Sequence, residues 1–196
     1  MNKILFTIDD YDEENIKFAE KLEKAGLKDS TIFFIELQPF GSQTQIRRLA
    51  QMGFTIGCHT ISHPQDMKLL SKEMLTYEIS VCKDMLKDWT KQPIDWFCYP
   101  RGRYNNKTID CLKKNKFKCA RTTVIGCNWE DNYRLPCIHL GYPRDEYNGK
   151  DWLDIAKQWY DKARVEDKTL ITFMHSWEIR KFNQYEKLDL FIDYIK

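Results

Sequence analysis

The chain lacks most of the features that would assign it to a class at a glance. It has no apolar run long enough to cross a membrane, no C-x-x-C pair, and no block of like charge. Thirty-one basic and 29 acidic residues leave a net charge of only +2 over 196 residues, so no concentrated basic surface points to nucleic acid. No linker, repeat or low-complexity tract divides it, which sets the expectation of one domain over residues 1–196. Seven cysteines (58, 82, 98, 111, 119, 127, 137) are odd in number and mostly lie within apolar runs, the pattern of small buried thiols. Met1-Asn2-Lys3 leads directly into Ile4–Ile8, with no stretch of signal-peptide type, so the expected location is the cytoplasm.

Short apolar runs alternate with segments of helical period. Strands are expected at 4–8, 31–35, 54–56, 94–98, 117–122 and 169–174. Helices are expected from about Ile16, from Gln43 to Gln51 after a Pro39/Gly41 break, from a Ser71 cap onward with Glu73 and Glu78 in the early turns, and over 105–115, 152–163 and 185–195. This alternation implies an α/β domain with a mainly parallel sheet, open or closed. The residues with chemical potential fall at the C-terminal ends of the expected strands, where parallel α/β folds build their sites.

Histidine is scarce, only four in all, yet two stand four apart in His59-Thr60-Ile61-Ser62-His63-Pro64. Imidazoles at that spacing meet one metal from the same side if the segment makes a single turn; Pro64 disfavours a continuing helix. Asp9 and Asp10 follow the first strand and point in different directions, so one can ligate a metal while the other acts beside it as a base. The plain alternatives are a surface loop for His63 and a helix cap for the aspartates. His175 ends the last strand and would either make structural hydrogen bonds or protonate a leaving amine; His139 has no such company and is read as structural.

These segments together resemble the polysaccharide deacetylases (carbohydrate esterase family 4, the NodB-homology domain). Thr7-Ile8-Asp9-Asp10 is similar to their T-F-D-D motif, His59-Thr60-Ile61-Ser62-His63 to H-[ST]-x-x-H, and Phe97–Asn105 to the motif around Tyr-Pro-x-Gly. Ala120-Arg121-Thr122-Thr123 and His175-Ser176-Trp177-Glu178-Ile179 look like one of its subgroups. The resemblance implies a distorted (β/α)7-type barrel with an incomplete ring of strands. It also implies removal of N-acetyl groups from amino sugars by metal-activated water. Asp10, His59 and His63 would hold one divalent metal, Zn2+ by default with Ni2+, Co2+ or Fe2+ also suited. Asp9 would be the base and His175 the acid. Tyr99, Pro100, Arg101 and Gly102 would form the substrate and oxyanion side, with Phe173 at the acetyl-methyl pocket.

Three departures carry expectations of their own. Tyr11 replaces the glycine after the aspartate pair, and Cys98 replaces an arginine that holds the base in many members; Arg101 or Arg121 is expected to supply that charge. The D-x-x-D-W motif is not recognisable in Asn128-Trp129-Glu130-Asp131. Trp177 and Glu178 either shape the substrate rim or pack, the rim being favoured. The partner is expected to be an acetylated amino sugar. A lipid-linked, nucleotide-linked or small non-sugar amide, and an inactive glycan-binding protein, stand as the alternatives.

Overall fold

The computed structural model describes residues 3–38 and 43–196; the Pro39/Gly41 break lies outside them. Seven strands, β1 (Ile4–Asp9), β2 (Thr31–Ile35), β3 (Thr55–Cys58), β4 (Trp96–Cys98), β5 (Cys119–Ile125), β6 (Leu135–His139) and β7 (Leu170–Met174), form a parallel barrel in chain order. The ring is closed rather than incomplete, because β7 pairs with β1 over five residues from Ile4↔Leu170 to Ile8↔Met174. Its thinnest seam is β3 to β4, where the register is carried by Cys58↔Phe97.

Helices cover the outside: α1 (Asn15–Lys24), α2 (Gln43–Gln51), α3 (Lys72–Thr76), α4 (Cys82–Thr90), α5 (Asn106–Lys114), α6 (Trp152–Val165), α7 (Ser176–Lys181) and α8 (Tyr185–Ile195). Ser71 caps α3 by accepting from the Met74 N–H, and Asn105 closes a capping box on α5 with Thr108. α3 and α4 are joined through a π-helical turn, Tyr77–Val81.

Side chains alternate across the barrel wall with the strand period of two. Ile4, Phe6 and Ile8 of β1, Phe33 and Ile35 of β2, and Leu170 and Met174 of β7 belong to the large core beneath the helices. The opposite parity fills the interior with Ile32, Phe34 and Cys98 in one cluster and Leu135, Cys137, Ile171 and Phe173 in another. Gly57 makes room there: a Cβ on it would lie 2.4 Å from the Phe34 ring. Asp9, His59, Cys98, Arg121, His139 and His175 all have the inward parity, which delivers them to one end of the barrel.

Two elements escape the sequence reading. β6 lies between the strand expected at 117–122 and the helix expected at 152–163, where no element is expected; it contains Pro136, a residue that disfavours central strands, and its register with β5 is broken between Arg121 and Ile125. α7 follows β7 without a loop and carries Glu178. All seven cysteines are free; five are buried, whereas Cys111 and Cys119 are partly exposed. Among the described residues no helix is long and apolar enough to cross a membrane.

Candidate active site

A cavity of ≈ 390 Å³ opens at the C-terminal ends of the strands, lined by Asp9, Asp10, His59, His63, Tyr99, Arg101, Thr123, His139, Tyr142, Arg144, Phe173, His175 and Trp177. Ligand atoms of Asp10, His59 and His63 lie within 4.8 Å of one another. Asp10 Oδ1 is 3.6 Å from His59 Nε2 and 3.9 Å from His63 Nε2. His59 Nδ1 lies 2.9 Å from the Cys98 carbonyl, which can only accept, so Nδ1 donates to it and Nε2 is the ring nitrogen turned toward Asp10. His63 stands in a non-helical turn, and its imidazole is pushed down to about 4 by burial and the His59 charge, with Arg101 adding to the shift.

The backbone here is strained. Asp10 (φ 68°), Thr60 (φ 72°), His63 (φ 48°) and Arg101 (φ 55°) all occupy left-handed conformations without being glycine. Two buried carboxylates hold the loops in this form. Glu78 accepts from the Ile61 and Ser62 N–H groups, both at 2.9 Å, and from the Ser62 hydroxyl at 2.5 Å. It is 1% exposed and sits in the π-helical turn, which inserts an extra residue and re-aims that face. It is therefore a loop anchor rather than an early-turn helix acid. Glu36 accepts from the Tyr11 N–H at 2.8 Å, and this contact fixes the chain where the family's glycine is absent. Burial and the Asp10 charge push the Glu36 carboxyl up to about 8.

Asp9 and Arg121 form a fully enclosed ion pair between Oδ2 and Nη2. Arg121 is 0% exposed, and its guanidinium also reaches the Thr122 carbonyl and the sulfurs of Cys98 and Cys137, with the Phe173 ring 4.6 Å from its centre. Arg121, not the exposed Arg101, meets Asp9. Burial opposes charge on Asp9, but the Arg121, His59 and His175 charges outweigh it and hold the carboxyl below its ordinary value. Its other oxygen, Oδ1, is buried with no protein partner.

On the opposite wall, Glu178 Oε2 accepts from His175 Nδ1 at 2.6 Å and from His139 Nε2 at 3.0 Å. Burial opposes its charge, yet the two imidazoles bring it down to about 2. The same contact, with the Asp9 and Asp10 charges, keeps His175 above the ordinary imidazole value despite its burial. His175 Nε2 faces Asp10 Oδ2 at 3.6 Å. Glu178 is 5% exposed and so is not part of a rim, correcting the sequence expectation; Trp177 does line the cavity. His139 is drawn into the site by the unrecognised strand β6. No sequence spacing links it to Glu178, 39 residues away. Asn128, Glu130 and Asp131 make their contacts with one another and with Arg134 and Tyr133, and none lines the cavity.

The parallel seven-stranded barrel brings adjacent aspartates at the end of β1 and paired histidines after β3 to the mouth of one cavity. The chain belongs to the polysaccharide deacetylase family, whose profile matches residues 1–120. YxkH of Bacillus subtilis (strain 168), provisionally named a polysaccharide deacetylase, is 30% identical over 134 residues, covering 65% of this chain and 47% of that protein. The chain thus spans about half the length of this curated relative. Among solved structures, a chitin deacetylase from Colletotrichum lindemuthianum superposes with a TM-score of 0.71 at 15% identity, covering 98% of this chain and 81% of that one. The Streptococcus pyogenes deacetylase PplD, in complex with acetate, gives 0.58 at 25% identity over 67% of this chain and 62% of its own. A family pseudoenzyme from Bacillus anthracis gives 0.67 at 18% identity, over 99% and 60%.

Proposed function

We propose that the protein hydrolyses the N-acetyl group of an N-acetylglucosamine-type sugar, releasing acetate and a free amine. The observation that carries this reading is the convergence of Asp9, Asp10, His59, His63 and His175 on one cavity. A divalent cation fits Asp10, His59 and His63: two imidazole nitrogens and a carboxylate, with the His59 ring oriented by its Nδ1 contact to the Cys98 carbonyl. Asp9, His59 and Cys98 also cluster, but the Arg121 guanidinium lies 2.7 Å from the Cys98 sulfur and would repel a cation there. Burial also raises the Cys98 thiol, keeping it protonated. When bound, the cation supplies Lewis acidity toward water and the acyl oxygen; zinc suits the donors, and nickel, cobalt or iron(II) would share them.

The chain's own groups divide the remaining work. Asp9, held ionised by Arg121 through one oxygen, takes the proton of the attacking water on its unpartnered Oδ1. The water oxygen bonds to the acyl carbon, and we assign the Arg101 backbone N–H as the donor to the developing oxyanion. The C–N bond then breaks, and His175, kept protonated by Glu178, gives its Nε2 proton to the departing amine. Phe173 and Tyr99 shape the acetyl side, and Trp177 offers a face for a sugar ring.

Acetate release from N-acetylchitooligosaccharides, with and without chelator, tests the proposal. Turnover abolished by chelator and restored by Zn2+ is the expected result. Stoichiometric metal binding with no acetate release from any N-acylated sugar would discard hydrolysis and leave an inactive glycan-binding protein.

A further inference from the structure

The charges around the cavity are unevenly distributed. Asp9 is neutralised by Arg121, and Asp10 is faced by His59, His63 and His175. Opposite β1, the ends of the consecutive strands β4, β5 and β6 carry Arg101, Thr123 and Arg144 into the lining. Arg101 makes no hydrogen bond or ion pair with any described residue. Its backbone is pinned: Gly102 packs so closely that a Cβ there would lie 2.1 Å from Thr123 Oγ1. The left-handed turn therefore fixes where the Arg101 side chain leaves the wall, and its guanidinium is without a partner among the described residues. Arg144 packs 5.8 Å from the Phe173 ring and is held at Nε and Nη2 by Glu146, at 3.2 and 3.0 Å. Glu146 is 50% exposed at its side chain, and a pair open to water at one end is weak.

A neutral chitin-like sugar has no group that needs two guanidiniums. A guanidinium presents a planar donor fork that matches carboxylate or phosphate oxygens. Resting on the deacetylase reading above, we infer that the β4–β6 side of the cavity is a subsite for an anionic substituent on the amino sugar. Arg101 is its main contact, and Arg144 is a second one that an incoming anion frees from Glu146. Carboxylate and phosphate share this chemistry, and the ligands below tell them apart.

The test is calorimetric binding of N-acetylglucosamine, N-acetylmuramic acid and N-acetylglucosamine 6-phosphate to the purified protein at low and high salt. At low salt, at least one anionic sugar should bind about tenfold more tightly than the neutral one, the scale of one charge-assisted contact. The anion preferred names the substituent. The ratio of anionic to neutral affinity should collapse toward one in Arg101→Ala and shrink at high salt. Glu146→Gln, a surface change that keeps the proposal testable if Arg101→Ala folds poorly, should widen the ratio severalfold. Equal affinity for all three sugars overturns the inference, as does a preference that survives Arg101→Ala. Acetate release is read separately: its absence from every N-acylated sugar, anionic and neutral, beside an intact anion preference discards the reaction and keeps the subsite.

Discussion

Replacing Arg121 by Met keeps most of the buried stem between Phe34 and Phe173 but removes the charge that meets Asp9. Asp9 is 4% exposed, so its carboxylate would be left in the barrel interior with no cationic hydrogen-bond donor. Breaking one side of a buried pair costs about 3–5 kcal/mol, a large share of the ~5–15 kcal/mol that holds typical domains together. The sign of the pH effect follows. Asp9 is now held below its ordinary carboxylate value, so it contributes stability above that value and loses it as pH falls through the folded one. Without Arg121 the burial effect dominates, the carboxyl shifts upward, and both that stability and the acid limb of activity move to higher pH. Urea unfolding monitored by fluorescence measures the loss, and Asp9→Asn in the Arg121→Met background should recover at least half of it. A loss below about 1 kcal/mol with an unchanged m-value, or no recovery in the double variant, would refute the assignment of Arg121 as the counter-charge.

Three further outcomes follow from the geometry. Glu178→Gln removes the charge that favours protonated His175, so the alkaline limb of the rate profile should move to lower pH and kcat at neutral pH should drop about 10²-fold. Glu178 is held near 2 against an ordinary 4.5, so its stabilising contribution is present above 4.5 and lost as pH falls toward 2; acid titration of Glu178→Gln should lack that component. Glu78→Ala strips the acceptor from two loop N–H groups and should cost about 1–3 kcal/mol for each left unsatisfied. Metal affinity, read by competition with a chromophoric chelator, should weaken with it, and unchanged affinity would show that the histidine loop holds its own shape. Gly57→Ala places a methyl against the Phe34 ring and should cost about 1–3 kcal/mol of unfolding free energy, with little effect if the ring can swing aside.

Much of the architecture could be read from local pattern. The apolar strands with inward and outward parity, the Ser71 cap, and the placement of Asp9, Asp10, His59 and His175 at strand ends are encoded over a few neighbouring residues each. Local pattern could not reveal β6, because its five residues include Pro136, which argues against a central strand, and its place is set by pairing with β5 and β7. It could not choose between Arg101 and Arg121 either. That choice depends on β5 lying beside β4, which brings Arg121 into register with Cys98 and its guanidinium onto Asp9 across the barrel.

The same holds for the carboxylates that set the site. Glu36, Glu78 and Glu178 are ordinary glutamates in the sequence, and a helical periodicity places Glu78 in an early turn of the helix after Ser71. Only closure of the barrel and the π-helical turn bury it under the His59–His63 loop, where two backbone N–H groups need an acceptor. His139 and Glu178 become one unit with His175 because β6 and β7 are adjacent and α7 begins at once after the strand. Local sequence sets which residue types are available for the chemistry and which strand ends carry them. Tertiary structure decided which charges are paired, since pairing depends on distances across the barrel that no local spacing contains.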